Sequence, residues 1–217
     1  MMNFIYRLLE IPIVYRVVTF LLGPGGPYLR KKINQKIFAV PARKVLDVGC
    51  GPVLTTPEPL EILVGLDLNE DCVRQYTGGY VDKDPSWAVH PPAGRKRLGY
   101  VGSALQLPFS DGCFDEIRSS SFFHHLSDAQ TETALKEMER CVHSGGRLVM
   151  FDAVWPKRAW TRPIAWLVGK YDRGHYFRTE EQLAALFEKS CPGEWRWERH
   201  TYTFTGLELL CLQYEKK

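Results

Sequence analysis

The stretch Lys44-Val45-Leu46-Asp47-Val48-Gly49-Cys50-Gly51-Pro52 decides the fold of this chain. Its apolar first half predicts a buried strand, and two glycines separated by one residue follow that strand. Because glycine has no Cβ and tolerates positive φ, the backbone N–H groups of such a turn can approach a ligand closely. The stretch therefore predicts a strand that leads into a cofactor-binding turn, with Gly49, Cys50 and Gly51 at the ligand.

The charge of Asp47 indicates which kind of ligand this turn binds. In a dinucleotide fold the turn faces a pyrophosphate, and a third glycine follows three residues after the second. Here that position is Leu54, and a carboxylate at Asp47 would repel a pyrophosphate. Asp47 instead favours a ligand with a cationic group, such as the ammonium of an amino-acid moiety, bound directly or through a glycine N–H.

A second apolar run, Ile62-Leu63-Val64-Gly65-Leu66-Asp67-Leu68, predicts the next buried strand of a β-α-β unit. It also ends in an acid. A carboxylate at the tip of the second strand accepts hydrogen bonds from ribose hydroxyls in dinucleotide-binding folds. Together Asp47 and Asp67 predict a nucleoside that carries an amino acid.

With these motifs the chain resembles the class I S-adenosylmethionine-dependent methyltransferases, most closely the type 11 group that includes ubiquinone- and menaquinone-type methyltransferases. The resemblance rests on four motifs that occur in the family's order between about residues 44 and 152. They are residues 45–52, Gly65-Leu66-Asp67-Leu68, residues 103–109 with Phe114-Asp115, and His124-His125-Leu126.

The resemblance implies an α/β fold: a Rossmann-like, seven-stranded, mostly parallel sheet with helices on both faces and a C-terminal antiparallel hairpin. We expect this methyltransferase domain to span residues 41–217, preceded by a helical arm over residues 1–40. Val53 stands where the family has a third glycine, and Pro57 and Pro59 fall where the first crossover helix runs. Since proline disrupts a helix interior, we expect that helix to be short or replaced by a loop.

The resemblance also implies S-adenosylmethionine as the cofactor and assigns residues around it. Asp67 and Leu68 would lie at the ribose, and Ser119 and Ser120 beside the sulfonium. The adenine pocket would contain Ser103, Ala104 and Leu105. Many family members have an acid at the position of Ser103, and a serine hydroxyl accepts the adenine amino group more weakly.

Methyl transfer to a hydroxyl also needs a group that takes the proton, and histidine suits this role near neutral pH. His124 and His125 follow the fourth predicted strand, where the family places residues between cofactor and acceptor, and His175 lies in the predicted lid. Asp152 ends the fifth predicted strand, 147–151, and is expected to orient one of these histidines or to bind the acceptor. A purely structural, hydrogen-bonding histidine is the competing interpretation.

Composition limits the remaining possibilities. The 217 residues are 45% hydrophobic and 24% charged, which is ordinary for one globular α/β domain. The net charge of +3 gives no indication of nucleic-acid binding. The six cysteines are scattered without a C-x-x-C pair, so the sequence predicts neither a disulfide framework nor a metal site. The same pattern predicts a reducing, cytoplasmic location.

The N-terminal arm has an apolar stretch, residues 4–22, with helical periodicity. Arg7, Glu10, Arg16 and Pro12 interrupt this stretch, which argues against a transmembrane or secretory segment. One interpretation is that its apolar face caps the catalytic pocket. The other is contact with a membrane surface, since six basic residues follow within residues 30–44.

An insertion at residues 153–178 is more basic and aromatic than the rest of the chain. Its helical periodicity places several large apolar side chains on one face: Trp160, Ile164, Leu167, Val168 and Tyr171. We expect this segment to be a lid with a solvated basic side, formed by Lys157, Arg158, Arg162, Lys170, Arg173 and Arg178. Lid and arm together are predicted to form the acceptor pocket.

The sequence therefore predicts a methyltransferase for a small, lipophilic or aromatic acceptor, with oxygen as the favoured methyl acceptor. Two alternatives stay open. One is a catalytically inactive, methyltransferase-like binding or scaffold subunit, suggested by the altered loop after Gly51. The other is an RNA or protein methyltransferase that uses the basic lid, although nucleic acid is not a favoured partner. The identity of the acceptor and the oligomeric state are not predicted.

Overall fold

A seven-stranded sheet forms the centre of the molecule. The computed structural model describes residues 42–52, 61–83, 96–172, 174–202 and 205–217. The strands are β1 (Lys44–Val48), β2 (Ile62–Asp67), β3 (Arg97–Val101), β4 (Phe114–Ser120), β5 (Val142–Val154), β6 (Trp195–Thr201) and β7 (Glu208–Glu215).

The strand order is β3-β2-β1-β4-β5-β7-β6. Strands β1 to β5 pair in parallel, while β7 lies antiparallel between β5 and β6. The predicted mostly parallel sheet with a C-terminal antiparallel hairpin is therefore confirmed. In such a sheet the carboxyl ends of the parallel strands meet at one edge, where ligands of open α/β folds bind.

Four helices lie in the described residues: α1 (Glu70–Thr77), α2 (Asp128–Cys141), α3 (Pro163–Tyr171) and α4 (Glu180–Ser190). Alternate residues of β1 face opposite sides of the sheet. Val45 packs in one cluster with Tyr76 of α1, whereas Leu46 packs in the main core with Leu135 of α2 and Phe187 of α4. Helices therefore cover both faces, as predicted.

The sequence predicts two helix starts, because Ser127 with Gln130 and Thr179 with Gln182 match the capping-box pattern, and the structure confirms both. Ser127 and Gln130 form a capping box at the start of α2, and Thr179 and Gln182 form another at the start of α4. In each box a hydroxyl accepts a helix N–H and the glutamine side chain accepts the N–H of the capping residue, so two orphan donors are satisfied.

The end of α2 differs from the prediction. We expect Gly145-Gly146 to end this helix, but α2 stops at Cys141 and β5 begins at Val142, so both glycines lie inside the strand. Val142 is already extended and pairs with Phe114, and the register then shifts before Glu116 pairs with Arg147. Gly145, with a φ of 82°, lies in this irregular part of β5. At its other end β5 extends to Val154, so Asp152 lies within the strand rather than after it.

Backbone bonds close the insertion at residues 153–178 at its base. Val154 forms a parallel bridge with Arg178, and Trp155 N–H donates to Arg178 O at 2.9 Å. The indole of Trp155 donates to Phe177 O at 3.1 Å. The segment therefore leaves the sheet after β5 and returns to it before α4. We call residues 154–172 and 174–178 the lid.

The predicted arm at residues 1–40, the loop around Pro57 and Pro59, and Arg173 lie outside the described residues. None of the helices that the structure describes is long and apolar enough to cross a membrane.

Gly65 of β2 allows α1 to pack closely on the sheet. A Cβ built on Gly65 would lie 2.6 Å from the ring of Tyr76 and 3.0 Å from Cys50 Sγ. Gly65→Ala should therefore displace Tyr76 and lower the free energy of unfolding by about 1–3 kcal/mol, the usual cost of overpacking. Urea denaturation monitored by circular dichroism measures this change.

Gly102→Ala is the matched control, because its Cβ would meet only the flexible end of Leu66 at 3.3 Å. Equal losses of stability in the two variants would contradict the close packing of Tyr76 as the cause.

Candidate active site

The glycine turn after β1 is fixed to the tip of β2. The N–H groups of Gly49 and Cys50 donate to Leu66 O at 2.8 and 3.1 Å, and Gly51 N–H donates to Asp67 Oδ2 at 3.0 Å. Gly49 and Gly51 have φ values of 67° and 57°, which other residues rarely adopt. A Cβ on Gly49 would lie 2.5 Å from Phe122 Cδ2, whereas one on Gly51 would meet no atom of the described residues within 4 Å. As far as the described residues show, Gly51 is thus the part of the turn that a ligand can approach.

Asp47 lies beneath this turn and is almost completely buried, with 4% of its surface exposed. Its Oδ2 accepts a hydrogen bond from the hydroxyl of Tyr76 at 2.9 Å. Burial disfavours the carboxylate and raises the pKa of Asp47 to about 6, although the Tyr76 hydroxyl and the charge of Arg118 act in the opposite direction. The nearby charge of Asp67 adds to the increase, so the two acids belong to one electrostatic site.

Asp67 and Leu68 lie at the tip of β2. The carboxylate of Asp67 accepts Gly51 N–H at one oxygen and Asn69 N–H at the other, at 3.0 and 2.9 Å. Each carboxylate oxygen has a second lone pair, which leaves acceptor capacity for a diol. Leu68 is 75% exposed, unusual for leucine, and offers an apolar surface next to this carboxylate.

The predicted adenine residues follow β3. Gly102 N–H donates to Asp67 O at 3.0 Å, which ties this loop to the tip of β2. The hydroxyl of Ser103 accepts Leu105 N–H at 3.2 Å, so the serine also stabilises its own turn. Ala104 is buried and Leu105 is half-buried against the core.

The end of β4 contains Ser119 and Ser120. Ser119 is 1% exposed, and its Oγ has no hydrogen-bond partner among the residues that the structure describes. The next residue, Ser121, has a φ of 56° and is the single described non-glycine residue with positive φ. Such strain is commonly found at functional sites. Ser121 N–H donates to Phe151 O at 2.8 Å and turns the chain into the 3₁₀ helix Phe123–His125.

Asp152 holds that 3₁₀ helix in place. Its Oδ2 accepts the N–H groups of Phe122, Phe123 and His124 at 3.2, 2.5 and 3.3 Å, and its Oδ1 lies 2.5 Å from His124 Nδ1. Ala153 N–H donates to the same Oδ1 at 2.8 Å. Because Asp152 is 1% exposed and its oxygens are occupied, it orients His124 rather than contacting an acceptor directly.

His124 lies between two carboxylates. Its Nε2 is 3.4 Å from Oδ1 of Asp172, which belongs to the lid. Burial opposes a charged imidazole, but Asp152 and Asp172 outweigh it and raise the pKa of His124 above its usual value. Burial likewise opposes a charged Asp152, yet the neighbouring His124 and the backbone N–H groups hold the pKa of Asp152 below its usual value.

His125 is exposed and lies beside His124, with the ring centroids 4.2 Å apart. His175 is also exposed, in a turn of the lid, but does not belong to the group of His124, His125 and Asp172 that converges here. Ligand atoms of these three residues lie within 4.8 Å of one another, a spacing compatible with a metal ion.

We call residues 122–126, which include the 3₁₀ helix, the histidine turn. The lid is fastened to this turn by contacts that sequence reasoning missed. Tyr176 N–H donates to His124 O at 3.0 Å, and Gly174 lies so close to His124 that a Cβ there would be 2.1 Å from its Cδ2. Asp172 carries no motif that would mark it, and its partner His124 is distant in sequence.

Arg178 corrects an expectation about the lid. It was predicted on the solvated basic side, but it is 7% exposed. Its guanidinium donates to Phe123 O at 3.0 Å, to Leu126 O at 2.7 Å and to Asp128 Oδ1 at 2.7 and 2.9 Å. Arg178 is therefore a buried residue that supplies hydrogen-bond donors to backbone carbonyls of the histidine turn.

Residues 46–150, which contain the glycine turn, the tip of β2 and the histidine turn, match the family model for a methyltransferase domain. These residues therefore form a methyltransferase domain of the class I, S-adenosylmethionine-dependent type. The matched region ends within β5, so the lid and the C-terminal hairpin lie outside it.

Curated relatives of this methyltransferase chain carry related names. A malonyl-[acyl-carrier protein] O-methyltransferase of Herminiimonas arsenicoxydans is 33% identical over 54% of this chain and 40% of its own length. A demethylmenaquinone methyltransferase of Mycolicibacterium paratuberculosis is 31% identical over 61% of this chain and 51% of its own length. The chain thus spans about half the length of the curated relatives that it matches.

Solved structures share the fold at lower identity. A SAM-dependent methyltransferase of Thermotoga maritima is 20% identical, covers 97% of this chain and 99% of its own, and has a TM-score of 0.64. A phosphoethanolamine N-methyltransferase of Haemonchus contortus in complex with S-adenosylhomocysteine has the same TM-score at 14% identity, over 89% of this chain and 54% of its own.

The residues at the strand tips fit S-adenosylmethionine. Gly51 is open to a ligand, Asp67 retains acceptor capacity for ribose hydroxyls, and Asp47 and Asp67 favour a cationic ammonium and sulfonium nearby. When bound, the cofactor supplies an activated methyl group. The tips of β1, β2 and β4 would hold it.

Asp47→Asn tests the buried charge through the pH dependence of stability. A carboxyl whose pKa rises on folding, here to about 6, contributes stability that is present below its unfolded value of 3.8 and lost as pH rises through 6. From pH 4 to 7 we expect the wild type to lose about 2–3 kcal/mol relative to Asp47→Asn. Denaturant titrations at several pH values measure this difference.

Tyr76→Phe is the companion variant, because it removes the hydroxyl that stabilises the Asp47 carboxylate while keeping the ring. It should shift the loss of stability to higher pH. Parallel stability profiles for wild type and Asp47→Asn would show that Asp47 does not titrate in this range.

Proposed function

We propose that this protein is an S-adenosylmethionine-dependent methyltransferase that methylates the hydroxyl oxygen of a small, lipophilic or aromatic acceptor. One observation carries the choice of oxygen. At the carboxyl end of β4 and β5, the exposed imidazole of His125 lies beside His124, which Asp152 and Asp172 hold. A base at this edge is needed for a hydroxyl acceptor, which must lose its proton when it is methylated, but not for an acceptor that is already deprotonated, such as a carboxylate.

Each residue has a distinct part in this proposal. His124 is a positioning residue, because carboxylates engage both of its nitrogens and it has no free site for a proton from the acceptor. His125 takes the acceptor's proton. The acceptor oxygen then forms a bond to the methyl carbon while the carbon–sulfur bond breaks, and the electron pair stays on sulfur. The products are the methyl ether, S-adenosylhomocysteine and a proton on His125.

The main contribution of the protein to this displacement is orientation, since the leaving sulfonium is already activated. Holding the acceptor at reacting distance in a near-attack geometry contributes several kcal/mol to the lowering of the barrier. The bonds from Asp152 to residues 122–124 and from Arg178 to Phe123 O and Leu126 O serve this purpose, because they fix the turn that carries His125.

Two features support a lipophilic or aromatic acceptor. The lid that borders the histidine turn contains Trp155 and Phe177, and Phe177 also contacts the ring of His124 at a centroid distance of 5.3 Å. Among the relatives, the name demethylmenaquinone methyltransferase is compatible with a lipophilic aromatic acceptor, and the name O-methyltransferase of a Penicillium expansum protein is compatible with oxygen.

Calorimetric titration with S-adenosylmethionine tests the cofactor part of the proposal. Asp67→Ala removes both the acceptor for the ribose and the partner of Gly51 N–H. Since hydrogen bonds to a charged group contribute about 1.5–3 kcal/mol each, we expect at least about tenfold weaker binding. Asp71→Ala, an exposed acid in the first turn of α1, is the matched control and should bind normally. Unchanged affinity in Asp67→Ala would refute its assignment.

A screen of phenolic and quinol acceptors, followed by mass spectrometry of the products, tests the reaction. With an active acceptor, His125→Ala should lower kcat by about 100- to 10,000-fold and leave cofactor affinity unchanged, as expected for a lost general base. His143→Ala, at the opposite end of β5 from the site and paired with Asp115, should retain activity. Cofactor binding without turnover of any acceptor class would favour the scaffold alternative instead.

A further inference from the structure

Helix α3 of the lid has its amphipathic pattern reversed relative to a helix that packs on a core. Its buried residues are the small ones, Ala165 and Gly169, four positions apart. Gly169 lies against Trp155, where a Cβ would be 2.8 Å from Cζ3. The large apolar side chains point outward. The helical periodicity of the sequence alone would also be compatible with packing of these side chains on the core. The outward-facing side is therefore not explained by folding of the described residues.

The exposed apolar surface of the described residues is concentrated in the lid. Trp160 is 84% exposed, and four further large side chains are between 38% and 57% exposed: Ile164, Trp166, Leu167 and Tyr171. Ala159, Trp160, Pro163 and Trp166 also line an open groove of about 250 Å³. Contiguous exposed apolar residues of this kind mark interaction sites. We call Trp160, Ile164, Trp166, Leu167 and Tyr171 the lid face.

The sequence around the lid face carries basic residues and no acid: residues 153–171 contain Lys157, Arg158, Arg162 and Lys170. Lys157 pairs with Glu180 and Arg162 with Glu208, whereas Arg158 and Lys170 form no ion pair among the described residues. Lys170 lies over the rings of Trp166 and Tyr171, 4.7 and 5.8 Å from their centroids. Trp and Tyr next to basic side chains are the composition of segments that lie in the interface of a bilayer.

We propose that the lid face binds the surface of a bilayer that contains anionic lipids. A second copy of this chain is a poorer occupant, because a symmetric contact would bring two basic faces together. Anionic headgroups instead complement the basic residues, and the shallow groove and aromatic side chains suit the boundary between headgroups and acyl chains.

The lid joins this surface to the reaction site. Its inner side is fastened to His124 through Tyr176 N–H, Gly174 and Asp172, while α3 presents the lid face outward. A protein docked in this way would take a lipid-soluble acceptor from the membrane. This consequence rests on the proposed function, whereas the docking itself does not.

Vesicle flotation of the full chain tests the proposal, with phosphatidylcholine vesicles that either contain or lack phosphatidylglycerol. We expect binding to the anionic vesicles only, and weaker binding as salt rises. The double variant Trp160→Ala/Leu167→Ala and the charge reversal Arg158→Glu/Lys170→Glu should each weaken binding at least about tenfold. Trp197→Ala/Arg196→Glu is the matched control on β6, where an exposed Trp and Arg also lie side by side, and should bind as the wild type does.

Titration of the same variants with S-adenosylmethionine separates this proposal from the proposed function. Lost vesicle binding with intact cofactor affinity supports the lid face as the docking surface. Full vesicle binding by both lid variants would place docking elsewhere on the chain and overturn it. Equal binding to neutral and anionic vesicles, or a dimer in light scattering that Trp160→Ala/Leu167→Ala dissociates, would overturn it as well.

Discussion

The buried carboxylate of Asp152 is the constraint on which the candidate site depends. It accepts three successive backbone N–H groups from residues 122–124 and holds the ring of His124. Since Phe122 lies against Gly49, the same bonds align the histidine turn with the glycine turn of β1. A single acid on β5 thereby connects the strand tips that would hold the cofactor with the turn that would meet the acceptor. Burying a charge is costly, and here four backbone N–H donors, including that of Ala153, and an imidazole offset that cost.

A second buried acid, Asp47, is satisfied much less well. Its described hydrogen bond comes from one neutral hydroxyl, Tyr76, and its pKa is raised to about 6 rather than lowered. Arg118, its partner in register on β4, pairs with Glu116 and so only partly compensates the charge. Asp152 and Asp47 therefore differ in kind: the charge of the first is stabilised by several donors of the protein, while that of the second is disfavoured by burial beside a single hydroxyl. Functional sites commonly show such an uncompensated group.

Local patterns made the fold predictable. Strand β1, the glycine turn and both capping boxes depend on residues within a few positions of each other, so their sequence is sufficient to predict them. The site was predicted only in part. The bond between Asp152 and His124 follows from strand order, but Asp172 reaches His124 through the path of the lid, which no local pattern determines. Arg178 was misjudged for the same reason, because burial of a charged side chain depends on the carbonyls that surround it.

The periodicity of α3 shows what a helical pattern leaves undecided. Alternation with a period of 3.6 residues indicates two different faces, but it does not say which of them meets the core. In most helices the large apolar face is buried because burial of each such side chain contributes about 1.5–3 kcal/mol. In α3 the side that meets the protein consists of Ala165 and Gly169, which allows the helix backbone to lie directly on Trp155. The tight packing of small residues on one side of α3 and the exposure of large residues on its other side are then two results of one arrangement, and the exposed side is the surface that we propose for docking.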